Sequence, residues 1–105
     1  MDEHILGKWQ QPETQQYPGL YFDFHADGTF SANYDAMAIK SGGTYETFDD
    51  GRIDMDQTFH TFGLVGKFIG RYEIDGSLLK MNLVSADGHD RPENLTGAVI
   101  YERVE

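Results

Sequence analysis

The fold is decided by a stretch of fifteen residues, LYFDFHADGTFSANY, at positions 20–34. Apolar and polar residues alternate on both sides of its central Asp27-Gly28 pair, as in strands that bury one face. Asp-Gly favours a tight hairpin, because the central residues of a type I′ turn need positive φ values. The stretch therefore predicts two antiparallel strands whose shared apolar face carries Leu20, Phe22, Phe24, Phe30, Ala32 and Tyr34.

The same dipeptide recurs further along the chain, and we interpret all four copies as turns between strands. The other copies are Asp50-Gly51, Asp75-Gly76 and Asp87-Gly88. Alternating segments lie around them, from an opening strand at residues 6–10 to a last strand at 96–104. Their inward positions are Tyr45, Ile53, Met55, Phe68, Gly70, Tyr72, Ile74, Leu79, Met81, Leu83, Tyr101 and Arg103.

The pattern gives eight strands, which could form two packed sheets or one closed barrel. Closure leaves no exposed sheet edge, and short hairpins favour an up-and-down order. We therefore expect one all-β domain over residues 1–105, an eight-stranded up-and-down antiparallel β-barrel with little helix. Single helical turns are expected at residues 2–6 and 35–40, and loops at 58–64 and 85–94.

The composition narrows the partners that the chain could have. Eighteen acidic residues against eight basic ones give a formal charge of −10, typical of a soluble domain and unfavourable for binding nucleic acid or anionic lipid. No apolar run approaches the roughly 20 residues of a membrane span, so no membrane insertion is expected. The first residues carry no signal peptide, which predicts a cytoplasmic protein, or a secreted or periplasmic one if the chain has been trimmed. No protein partner is indicated.

No known catalytic, metal or cofactor motif is present. The absence of cysteine excludes disulfides and thiolate chemistry, and the four histidines lack the spacing of a shared metal site. His89, between Asp87 and Asp90, could at most hold a weakly bound divalent ion, while the acids at 49–50 fit a turn. Asp54 and Asp56 are interpreted as surface charges. We expect no metal and no cofactor.

Short motifs at the two ends of the chain resemble a known family. Gly7-Lys8-Trp9 is similar to the Gly-x-Trp signature of lipocalins, and Tyr101-Glu102-Arg103 supplies the basic residue that packs across the Trp in that family. Together with the hairpins, these residues resemble small bacterial lipocalin-like domains, many of which have no assigned function. The resemblance implies that Trp9 and Arg103 meet where the first and last strands close the barrel.

A barrel of this size is either filled by side chains or holds one small ligand, and the sequence leaves both possibilities open. If the barrel is hollow, the candidate ligand-binding residues are Phe22, Phe24, Phe30, Tyr45, Phe68, Tyr72 and Tyr101. Gly43 and Gly70 would open space, or mark bends, and tyrosine hydroxyls would supply the polar contacts. The favoured function is non-catalytic binding of a small hydrophobic or planar ligand. The alternatives are an interaction scaffold using the acidic surface and loops, or a motif-poor cyclase or isomerase.

Overall fold

A computed structural model describes residues 1–104 and shows a closed antiparallel barrel of eight strands. Each strand pairs with the next, and the last pairs with the first, which confirms the predicted all-β up-and-down architecture. The strands are β1 (Gly7–Gln10), β2 (Tyr21–Phe24), β3 (Thr29–Tyr34), β4 (Ile39–Thr47), β5 (Arg52–His60), β6 (Gly66–Asp75), β7 (Leu78–Ser85) and β8 (Val99–Val104).

Helix is confined to two short 3₁₀ turns. They span Glu3–Ile5 and Asp35–Met37, within the two segments expected to form single helical turns. No helix among the described residues is long and apolar enough to cross a membrane.

Three of the four Asp-Gly pairs form hairpin turns, all at the same end of the barrel, which we call the hairpin end. The prediction was wrong for the fourth, Asp87-Gly88, which lies inside a long connection between β7 and β8. That connection folds back onto the outer wall of the barrel instead of reversing tightly. The Arg91 guanidinium donates hydrogen bonds to the carbonyls of Ile53 and Gly70, at 3.1 and 2.9 Å.

Two predicted boundaries also shift. The last strand begins at Val99 rather than at residue 96, because the chain is still in a turn, with the Ala98 N–H donating to Leu95 O at 3.0 Å. At the other site, β5 continues to His60, so the predicted loop at 58–64 starts only at residue 61. The extension is paired with β4, where His60 lies opposite Ser41.

The extension of β5 contains a β-bulge. Gln57 pairs with Gly43 and Phe59 pairs with Gly42, so Thr58 is an extra residue without an opposite partner. Because an extra residue reverses the alternation of sides, Phe59 turns outward and is 53% exposed, whereas the next side chain turns toward the axis. A Cβ at Gly43 would collide with the backbone carbonyl of Asp56, so only glycine permits this approach of the two strands.

The N-terminal segment fills the hairpin end of the barrel. Ile5 and Trp9 are fully buried, and the indole Nε1–H donates to Ile5 O at 2.8 Å. Residues 11–20, 35–38, 61–65 and 86–98 connect the strands at the opposite end, which we call the open end. The barrel is therefore packed at one end, and any internal space must lie toward the other.

Candidate ligand-binding cavity

A cavity of about 660 Å³ occupies the open end of the barrel. Its walls come from β2 to β6, and its rim from the connections at 11–20, 35–38 and 61–65. This volume lies within the range of roughly 300–1,000 Å³ that small-molecule sites occupy. The lining residues are Tyr17, Leu20, Phe22, Ala32, Asn33, Tyr34, Met37, Ile39, Ser41, Gln57, His60, Leu64 and Phe68.

None of these thirteen residues is an aspartate, glutamate, lysine or arginine. This is informative in a chain with 18 acidic residues, because charged side chains cover most of its remaining surface. A charged group placed in the cavity would lose hydration without meeting an opposite charge, which is costly. The cavity therefore suits an uncharged, largely apolar molecule.

The floor of the cavity is aromatic. A deeper hollow of about 180 Å³ lies beneath it, and the two share Phe22, Gln57 and Phe68 in their linings. The rings of Phe22 and Phe24 stack at 5.5 Å, and Phe24 meets Tyr45 edge to face at 4.8 Å. Below this aromatic layer the interior is filled by the core of the hairpin end.

Polar groups in the cavity are few, and their hydrogen bonds leave defined positions for a ligand. The Gln57 Nε2–H donates to Leu64 O at 2.6 Å, which leaves the amide oxygen as an acceptor. The Phe62 N–H donates to His60 Nδ1 at 3.0 Å, so the neutral ring carries its proton on Nε2. Ser41 donates to Ala32 O. One acceptor and one donor thus lie within an otherwise apolar lining.

The candidate ligand-binding residues divide into two groups along the barrel axis. Phe22, Phe30 and Phe68 line the cavity or the hollow beneath it. The other four belong to the packed core instead, and they are Phe24, Tyr45, Tyr72 and Tyr101. All seven share the inward face, as expected, but only the first three contact the open space.

The tyrosine hydroxyls expected to contact a ligand are directed elsewhere. Tyr45 donates to His25 O at 2.9 Å, and Tyr72 donates to Asp2 Oδ2 at 2.8 Å. Burial raises the pKa of Tyr101 to about 12, and burial with the adjacent Asp2 raises the pKa of Tyr72 further. These phenols remain neutral and support the packed end.

Gln57 and His60 were not identified from the sequence. Gln57 continues the inward alternation of Ile53 and Met55, so that signal was present in the pattern. His60 turns inward only because of the bulge at Thr58, and the Gly42-Gly43 pair opposite it is the one local sign of that irregularity. Gly43 and Gly70 do not open space in the cavity, because each admits the backbone of a neighbouring strand.

The surface acids form no comparable site. Among residues 1–104 no three histidine or acidic side chains come close enough to hold a metal ion. A hollow of about 420 Å³ on the outer wall is bordered by Glu46, Asp56 and Lys67, and it is polar. Asp54, expected to be a free surface charge, pairs with Arg91 at 2.6 Å and holds the β7–β8 connection against the wall.

The fold and the cavity together define a class of protein: a closed eight-stranded antiparallel barrel, packed at one end and hollow at the other. Comparison of the chain with protein-family models, with curated proteins and with solved structures finds no match. The function is therefore argued from the cavity itself.

Proposed function

We propose that this protein is a lipocalin-like binding domain that holds a small, uncharged hydrophobic ligand without transforming it. The observation that carries the proposal is the cavity of about 660 Å³ with no charged residue in its lining. The Gly-x-Trp motif and the position of Arg103 over Trp9 support the lipocalin-like part of the proposal.

The distribution of polar groups indicates the kind of ligand. Gln57 and His60 supply hydrogen-bonding atoms near the mouth, while the floor is formed by Phe22, Phe30 and Phe68. An elongated or planar molecule with one hydroxyl or carbonyl group would place its apolar part on the floor and its polar atom beside Gln57. An ionised head group would meet no countercharge there, and the net charge of −10 would repel an anion.

Binding is tested by fluorescence titration with Nile red, a neutral apolar dye, on the intact chain. Ala32 is 8% exposed and lines the cavity, so Ala32→Leu fills part of the space. We expect this variant to weaken dye binding by about tenfold or more, because extra methyl groups in a fitted site cost roughly 1–3 kcal/mol. Ala26→Leu is the matched control, since Ala26 is exposed in the turn between β2 and β3 at the hairpin end.

A second variant keeps the test independent of folding problems in the core. Ile39→Trp narrows the mouth at a half-buried position on the rim, and it should also weaken binding while circular dichroism stays unchanged. A parallel titration compares 1-decanol with decanoate, and the alcohol should bind more tightly. The proposal fails if the wild-type chain binds no dye, or if both variants bind it as well as Ala26→Leu does.

A further inference from the structure

One connection at the open end exposes an unusual amount of apolar surface. Residues 61–65, which we call the apolar loop, join β5 to β6 beside the cavity mouth. Three of its side chains, Phe62, Leu64 and Val65, are 64%, 65% and 56% exposed. Tyr17 and Met37, on two neighbouring connections, are also large, apolar and exposed. Clustered exposed apolar residues mark an interaction surface more often than scattered ones do.

The backbone of the apolar loop is fixed, so the exposure does not arise from a lack of structure. Thr61 and Lys40 exchange backbone bonds, with Thr61 N–H donating to Lys40 O at 2.9 Å and Lys40 N–H donating to Thr61 Oγ1 at 2.7 Å. Gly63 N–H donates to His60 O at 2.9 Å, and Gln57 holds Leu64 O from inside the cavity. The loop is therefore shaped to present its side chains outward.

The charge around the apolar loop differs from that of the rest of the molecule. No acidic residue occurs from position 57 to 72 or from 36 to 45, although the chain contains 18 of them. Lys40 and Lys67 flank the loop on β4 and β6. The acids of the open end, Glu13, Asp35, Asp87, Asp90 and Glu93, lie on the other three connections.

We infer that the apolar loop docks the barrel on the surface of a lipid bilayer, with the cavity mouth facing the lipid. Large apolar side chains flanked by lysines are the combination that inserts at the boundary between head groups and acyl chains. Acids more than about 8 Å away are largely screened at physiological ionic strength, so the net charge does not prevent this contact. The docked orientation would let an apolar ligand pass between bilayer and cavity without crossing water.

A second copy of this chain fits the surface less well. Two molecules that each carry −10 repel one another. A stable protein interface also buries about 800 Å² per partner, which a loop of five residues does not provide. Insertion into lipid needs no such complementary face.

The inference is tested by co-sedimentation of the intact chain with phosphatidylcholine vesicles, without added ligand. The double variant Phe62→Ser/Val65→Ser removes two exposed side chains that do not line the cavity. We expect it to lower the bound fraction at limiting lipid by about tenfold, because each lost side chain removes apolar burial. Phe48→Ser is the matched control, since Phe48 lies in the β4–β5 turn at the hairpin end, and it should leave vesicle binding unchanged.

The outcomes separate this inference from the proposed function. Nile red binding by the double variant should equal that of the wild type, so docking and ligand binding are measured independently. The inference is overturned if the wild-type chain does not sediment with vesicles, or if the double variant sediments equally. It is also overturned if the loop instead drives self-association, seen in ultracentrifugation as a dimer that the double variant loses.

Discussion

The guanidinium of Arg103 lies 4.0 Å above the ring of Trp9, directly across the seam where β8 pairs with β1. The two residues are opposite each other in the strand register. The same guanidinium donates to Leu6 O at 2.8 Å and to His4 O at 2.6 Å. One side chain therefore joins the last strand, the first strand and the N-terminal segment that fills the hairpin end.

Replacing Arg103 should destabilise the barrel strongly. Arg103→Ala removes the stacking contact and two charge-assisted hydrogen bonds, so we expect a loss of roughly 2–4 kcal/mol in the free energy of unfolding. Arg103→Lys should fall between, because an ammonium group lacks the planar fork that reaches both carbonyls. Urea unfolding followed by the fluorescence of Trp9 measures both effects.

Arg52 provides the control for this comparison. Its guanidinium also lies over an aromatic ring, 4.7 Å from Phe48, but in an exposed turn. Arg52→Ala should therefore change the stability far less than Arg103→Ala does. Equal losses in the two variants would contradict the function assigned to Arg103 in closing the barrel.

Asp2 links the stability of the hairpin end to pH. Burial alone would raise the pKa of Asp2, but hydrogen bonds from the His4 N–H and the Tyr72 hydroxyl outweigh it and lower the pKa. A carboxyl whose pKa is lower in the folded state contributes stability above its unfolded pKa, and this is lost as the pH falls through the folded value. The contribution should therefore be complete at neutral pH and disappear in the acid range below 3.8, the ordinary value for Asp.

The measurement compares wild type with Asp2→Asn. The difference in unfolding free energy should be largest above about pH 5 and should shrink as the pH falls below 4. Tyr72→Phe, which removes one of the hydrogen bonds to the carboxylate, should reduce the same pH-dependent difference. A difference that stays constant between neutral and strongly acidic pH would refute the assignment to Asp2.

The bulge at Thr58 depends on Gly43. In Gly43→Ala the added methyl group would collide with the Asp56 carbonyl, so we expect a destabilisation of more than about 2 kcal/mol. Gly97→Ala is the control, because its Cβ would meet nothing within 4 Å and only the positive φ of +75° adds cost, about 1 kcal/mol. If calorimetry gives both variants the same melting temperature, the strands do not approach as closely as described.

The alternation in residues 20–34 was sufficient to predict the first hairpin and which of its residues face inward. Alternation does not say how far along the axis a side chain lies, so Phe22 at the cavity and Phe24 in the packed core look alike. Depth depends on which end the N-terminal segment fills. Turn chemistry is equally local, since Asp87-Gly88 turns the chain without a strand directly after it.

The central claim is that the barrel is hollow at its open end and packed at its hairpin end. Methyl NMR of the chain titrated with 1-decanol tests it most directly. We expect the largest shift changes at Leu20, Ile39 and Leu64 around the cavity, with little change at Ile5 and Leu79, both fully buried in the core. No shift changes at saturating alcohol, or equal changes at both ends, would contradict the claim.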